Sequence, residues 1–146
     1  MTGLELVMTM LFGFLIKHTV MDFFVQNRVP WMWKNKGRFG HPGGVAHSLT
    51  HTVGTFAVLW PFYGFFDAQL GHLFPWDRLF ALTLAFEFIV HYFTDLCKMK
   101  ICAWRGWKAD TSPHFWDMLG IDQFIHLMTY WIIAYMWVGL ATLPWG

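Results

Sequence analysis

His91-Tyr92-Phe93-Thr94-Asp95-Leu96-Cys97-Lys98 lies near the end of a long apolar run that begins near Arg78. A histidine and an aspartate four apart share one face of a helix, one turn above the other. The same spacing recurs in the three other apolar runs, as His18/Asp22, His47/His51 and Asp122/His126. Ionisable groups are costly in apolar surroundings, and one pair in every run reads as a shared site. The fold that brings four such runs together is an all-α, antiparallel four-helix transmembrane bundle.

Composition leads to the same class. Of 146 residues, 56% are hydrophobic, 21% aromatic and only 13% charged, about half the charge of a soluble domain. Mean hydropathy is +0.40. A single membrane domain has room for four spans of roughly 20 residues. Periodicity and breakers put them at about 4–26, 45–63, 78–99 and 118–143. The start lacks the positive region of a secretory signal, so the first run is expected to remain as a span. Pro61 is expected to end the second span, with residues 61–77 as a connection. Asp110-Thr111-Ser112-Pro113 gives a helix-start signal before the fourth.

Net charge is +1, which excludes the footprint of a nucleic-acid binder. Lys98, Lys100, Arg105 and Lys108 interleave with Trp104 and Trp107. Beside an apolar span this mixture reads as a headgroup-level belt, and no nucleic-acid partner is expected. Most tryptophans and phenylalanines are assigned to interface anchoring and lipid-facing bulk. The expected partners are the lipid bilayer and a lipid or other amphiphilic substrate; the sequence sets no oligomeric state. Cys97 and Cys102 fit no thiolate metal motif and read as packing thiols. His41, His72 and His114 fall in connections and are expected to be solvated.

Lysine and arginine concentrate in the first connection (Arg28, Lys34, Lys36, Arg38) and the third (Lys100, Arg105, Lys108). The positive-inside rule puts these connections in the cytoplasm and both termini outside. At 1.5 Å per residue, Asp22, Asp95 and Asp122 then lie ~6 Å from the cytoplasmic ends, and His18, His91 and His126 ~12 Å. His47 and His51 come out at roughly 3 and 9 Å. All eight residues fall in one leaflet.

Imidazole nitrogens and carboxylate oxygens suit Zn, Fe or Mn. The expected metal ligands are therefore His18, Asp22, His47, His51, His91, Asp95, Asp122 and His126, enough for one or two divalent ions. Bound metal would activate water and clamp a phosphate or ester oxygen. Asp22, Asp95 or Asp122, where not ligating, is a candidate general base, and Lys98 can neutralise developing negative charge. Gln26, Glu87 and Gln123 are candidate outer partners that fix histidine tautomers. Lys17, about 100° off the His18/Asp22 stripe, is expected to snorkel to a polar boundary. The leading functional class is a metal-dependent membrane hydrolase. The rivals are a proton or metal transporter and a non-catalytic scaffold with a structural metal.

Taken together, His18-x-x-x-Asp22-Phe23-x-x-Gln26, His47-x-x-x-His51, His91-x-x-x-Asp95-x-x-Lys98 and Asp122-Gln123-x-x-His126 resemble a small membrane family of bacteria and their phages, catalogued as a domain of unknown function. The resemblance implies a four-span protein of the bacterial inner membrane, with these eight positions as the signature. It implies no activity. A weaker likeness, to membrane-bound metal-dependent hydrolases with His-rich helices, lacks their Arg after the first His.

Overall fold

The computed structural model describes residues 2–33, 37–71 and 73–142. Lys34, Lys36, His72 and the expected end of the fourth span at Leu143 lie outside the described residues.

Four long rods account for most of the chain. The first begins as α1 (Gly3–Thr19), opened by a capping box between Thr2 and Glu5. It continues through a π-helical segment (Val20–Val25) and one α-helical turn, α2 (Gln26–Arg28). A short α3 (Pro30–Trp33) follows, then the long helices α4 (Pro42–Leu70), α5 (Trp76–Arg105) and α6 (Pro113–Ala141). No strand occurs among the described residues. Helix α5 stops at Gly106, whose φ of 70° admits the left-handed cap that a side chain would disfavour.

Cross-contacts fix the topology. Thr83 meets Trp137 while Lys98 meets Asp122, so α5 and α6 run antiparallel. Phe66 stacks on Trp76 while His47 meets Asp95, so α4 and α5 do too. Helix α1 contacts both α4 and α6, which closes the ring of rods. Helix α4 runs through Pro61 to Leu70, seven residues past the expected end of the second span at Tyr63. Pro61 removes one backbone donor, but the apolar turns beyond it bury Phe66 against Trp76 and Trp137 and keep the chain helical.

Three rods, Gly3–Arg28, Trp76–Arg105 and Pro113–Ala141, are long and apolar enough to cross a membrane. Helix α4 is as long but less apolar, because Gly43, Gly44, His47, Ser48, Thr50, His51, Thr52 and Thr55 crowd its first half. The expected count of four apolar spans is therefore met by three. Their outer faces expose Leu4, Phe12, Leu82, Phe124 and Tyr135, whereas Lys17, Glu87, Asp95 and Asp122 are buried inside. That polarity is the reverse of a soluble protein's and suits a protein embedded in a membrane.

The interior divides in two along its length. One half is an apolar core of Met10, Phe14, Leu59, Phe66, Trp76, Ile133 and Trp137. Trp76 and Trp137 are thus central packing residues rather than the interface anchors expected of the tryptophans. The other half is polar. Its deepest layer contains Lys17, expected at a polar boundary but only 5% exposed. Gly54 on α4 makes room for it: a Cβ there would sit 2.6 Å from Lys17 Cγ and 3.1 Å from Cε. Gly54→Ala is expected to destabilise the protein by about 1–3 kcal/mol through overpacking. Gly64→Ala, where a Cβ meets nothing within 4 Å, should be neutral or stabilising by about 0.5–1 kcal/mol. Unfolding of both variants in one detergent checks this.

Candidate metal centre

Each rod contributes to the polar half. Helix α4 offers His47 and His51 from its second and third turns, and α5 offers Glu87, His91, Asp95 and Lys98 along one stripe. Helix α6 supplies Asp122, His126 and Tyr130 from another. The first rod supplies Lys17 and His18 at the end of α1 and Asp22 from the π-helical segment. A π turn accommodates one extra residue, so the expected α-helical stripe Phe14–His18–Asp22–Gln26 changes phase just where Asp22 reaches the centre.

Four side chains converge most closely. Asp22 Oδ1 lies 3.2 Å from His47 Nε2 and 3.1 Å from His51 Nε2, and His47 Nε2 lies 3.2 Å from His91 Nε2. Ligand atoms of these four residues all fall within 4.8 Å of one another. A tetrahedral ion with bonds of about 2.0 Å has ligand–ligand edges of about 3.3 Å, so the three measured edges fit a zinc-like ion. The contact between two imidazole nitrogens is informative, since at most one can carry the hydrogen that makes it a hydrogen bond. The Nδ1 atoms of His47, His51 and His91 have no hydrogen-bond partner among the described residues. These rings are held instead by packing on each other, with centroids 3.8 Å apart for His51 and His91 and 4.7 Å for His47 and His51.

A second group able to hold an ion comprises His91, Asp95 and His126, and it shares His91 with the first. Asp95 Oδ2 is 3.4 Å from His47 Nε2 and 3.8 Å from His91 Nε2. Lys98 Nζ bridges Asp122 Oδ2 at 2.7 Å and Asp95 Oδ1 at 3.4 Å, and Asp122 Oδ1 is 3.6 Å from His126 Nε2. Lys98 therefore pairs with two carboxylates and ties α5 to α6.

His18 and Asp122, both expected as ligands, belong to neither group among the described residues. Hydrogen bonds account for His18. Lys17, an ammonium with donors only, donates to Glu87 Oε1 at 2.6 Å and to the Tyr130 hydroxyl oxygen at 3.0 Å. The Tyr130 hydrogen is then directed to His18 Nδ1 at 3.0 Å. His18 Nε2 carries the remaining hydrogen and donates to Gln123 Oε1 at 2.8 Å, with Asp22 Oδ2 3.3 Å away. Both ring nitrogens are thus engaged.

The expected outer partners lie in different places. Gln123, which accepts from His18, also donates from its amide to Asp22 Oδ2 and Asp122 Oδ2, each at 3.3 Å. Glu87 does not orient a histidine: it pairs with Lys17, one layer deeper than the histidine cluster. Gln26 is half-buried on the last turn of the first rod. Spacing turns Lys17 away from the polar stripe, and it aligns Tyr130, four residues beyond His126, with the stripe of α6 without giving it a role. His41 caps α4, accepting from the Gly43 N–H, and His114 is exposed beside Asp117. Both cysteines are free thiols, Cys97 exposed and Cys102 buried.

No curated protein and no solved structure matches this chain. Residues 10–144, which include every side chain of the cluster, match a family described as a protein of unknown function (DUF3307), and the chain belongs to that family.

Proposed function

We propose that this protein is a metal-dependent hydrolase of the bacterial inner membrane acting on a lipid or other amphiphilic substrate. Four spans enclose the centre, the connections flanking it face the cytoplasm and both termini lie outside. The observation that carries the metal reading is the set of 3.1–3.2 Å edges joining Asp22, His47, His51 and His91. The donor set supports it, because imidazole nitrogens and a carboxylate oxygen suit Zn, Fe or Mn.

Bound at this set, the ion would supply Lewis acidity and a more acidic water. The chain's own groups divide the remaining work. Asp95, beside His47 and His91, is placed to accept a proton from water. Lys98, between Asp95 and Asp122, is placed to stabilise negative charge developing on the substrate oxygen. Gln123 and His18 hold Asp22 in register.

One observation favours a second reading, a scaffold stapled by metal: four protein ligands close a tetrahedron, as structural sites do. Elemental analysis of detergent-purified protein, followed by assays on amphiphilic esters in mixed micelles, tests both. The expected result is about one Zn, Fe or Mn per chain and turnover that a chelator abolishes and metal restores. Bound metal with no turnover on any ester favours the staple. Absence of metal after purification without chelators overturns both.

A further inference from the structure

Helices α5 and α6 part on their outer side to leave a groove of about 330 Å³, at the lower end of small-ligand pockets. Its walls are apolar: Phe93 and Ile101 from α5, Met118, Ile121 and Ile125 from α6. Phe93, Ile121 and Ile125 are 47%, 52% and 38% exposed, so this face looks outward and not into the bundle. Midway along, the groove meets polar groups, because Lys98 and Asp122 also line it. On their inner side these two reach members of the second group, Lys98 to Asp95 at 3.4 Å and Asp122 to His126 at 3.6 Å.

The stripe of α5 that carries Lys98 and Ile101 continues to Arg105, seven residues and about 10 Å beyond Lys98. Arg105 is exposed, its guanidinium 4.6 Å from the Trp104 ring centroid and 5.9 Å from that of Trp107. Lys100 and Lys108 are exposed nearby, and Asp110 and Asp117 only partly offset this positive charge. Along α5 the order is the apolar wall at Phe93, the polar step at Lys98, one further apolar residue at Ile101, and then the basic, tryptophan-flanked rim at Arg105. An anionic glycerophospholipid presents an acyl chain, an ester, a short glycerol segment and a phosphate in the same sequence.

We infer that this groove takes one acyl chain of an anionic glycerophospholipid, with the phosphate at Arg105 and Lys108 and the ester beside Lys98 and Asp122. The inference deepens the hydrolase reading by naming its substrate class, and it rests on α5 and α6 spanning the bilayer. The test is native mass spectrometry of the full chain in micelles doped with phosphatidylglycerol or phosphatidylcholine, with and without chelator. One phosphatidylglycerol per chain is expected, retained at least 10-fold better than phosphatidylcholine. The paired change Arg105→Ala and Lys108→Ala should remove the preference. Ile121→Trp, which fills the trough, should remove retention itself, and Ile125→Phe gives a second reading should Ile121→Trp not fold. Inorganic phosphate should fail to compete, as a headgroup-only site would not allow. Equal retention of both lipids, or unchanged retention in both groove variants, overturns the inference. Retention that survives chelation in a protein found to hold no metal would leave the groove standing and remove the metal reading. Bound metal without lipid retention would do the opposite.

Discussion

Alanine in place of His47, His51 or His91 is expected to abolish metal retention, whereas His18→Gln is expected to weaken it by only about 10–100-fold, the usual effect of losing an outer partner. All four histidines are buried in the same cluster, and sequence spacing treats them alike. Lone pairs distinguish them. His47, His51 and His91 present Nε2 to one another or to Asp22. His18 has its Nδ1 filled by the Tyr130 hydroxyl and its Nε2–H directed at Gln123. A ligating nitrogen must bring a free lone pair, and His18 has none to spare. X-ray absorption of zinc-loaded protein should therefore count three imidazoles and one carboxylate. Four imidazoles, or a His18→Gln variant as empty as His47→Ala, would show the hydrogen-bond assignment to be wrong.

Much of this centre was legible in the sequence because intramembrane polarity is scarce. When apolar runs carry few ionisable groups, an i, i+4 spacing in each run suffices to place His18, Asp22, His47, His51, His91, Asp95, Asp122 and His126 on inward stripes. What failed depended on relations between rods. Lys17 reads as a residue off the stripe, but its direction is set by Gly54 on α4 and Glu87 on α5, neither of which is local to it. The π-helical turn at Val20–Val25 shifts the phase of the first rod, and hydrophobic periodicity has no marker for one inserted residue. Pro61 carries a breaker signal that the aromatic packing of Phe66 overrides. Trp76 and Trp137 look like belt residues by composition, and only the pairing of α5 with α6 turns them inward. The polar first half of α4 is the same point in reverse. The His47/His51 pair that made it recognisable as part of the site also lowers its apolarity below that of the other three rods.

The deepest polar layer yields the other large effect, one in which stability and metal affinity come apart. Lys17 and Glu87 pair at 2.6 Å with side chains 3% and 1% exposed, so truncating one partner leaves an uncompensated buried charge. Lys17→Met alone is expected to cost about 3–5 kcal/mol, and Glu87→Leu alone a similar amount. Combined, they replace an ion pair by apolar groups of similar volume, an exchange that is often neutral or stabilising. The double variant should therefore unfold near the wild-type temperature in detergent. Metal affinity should not return with stability. Lys17 is also the donor that occupies the Tyr130 oxygen, and that contact directs the Tyr130 hydrogen to His18 Nδ1. Without it the Tyr130 hydroxyl can reorient, His18 can exchange tautomers, and the Nε2–H that supports Gln123 and Asp22 is no longer fixed. A folded double variant with metal affinity about 10–100-fold lower is the expected result. Full recovery of both properties would reduce Lys17 and Glu87 to packing, and recovery of neither would mean that the pair is required for the bundle to close.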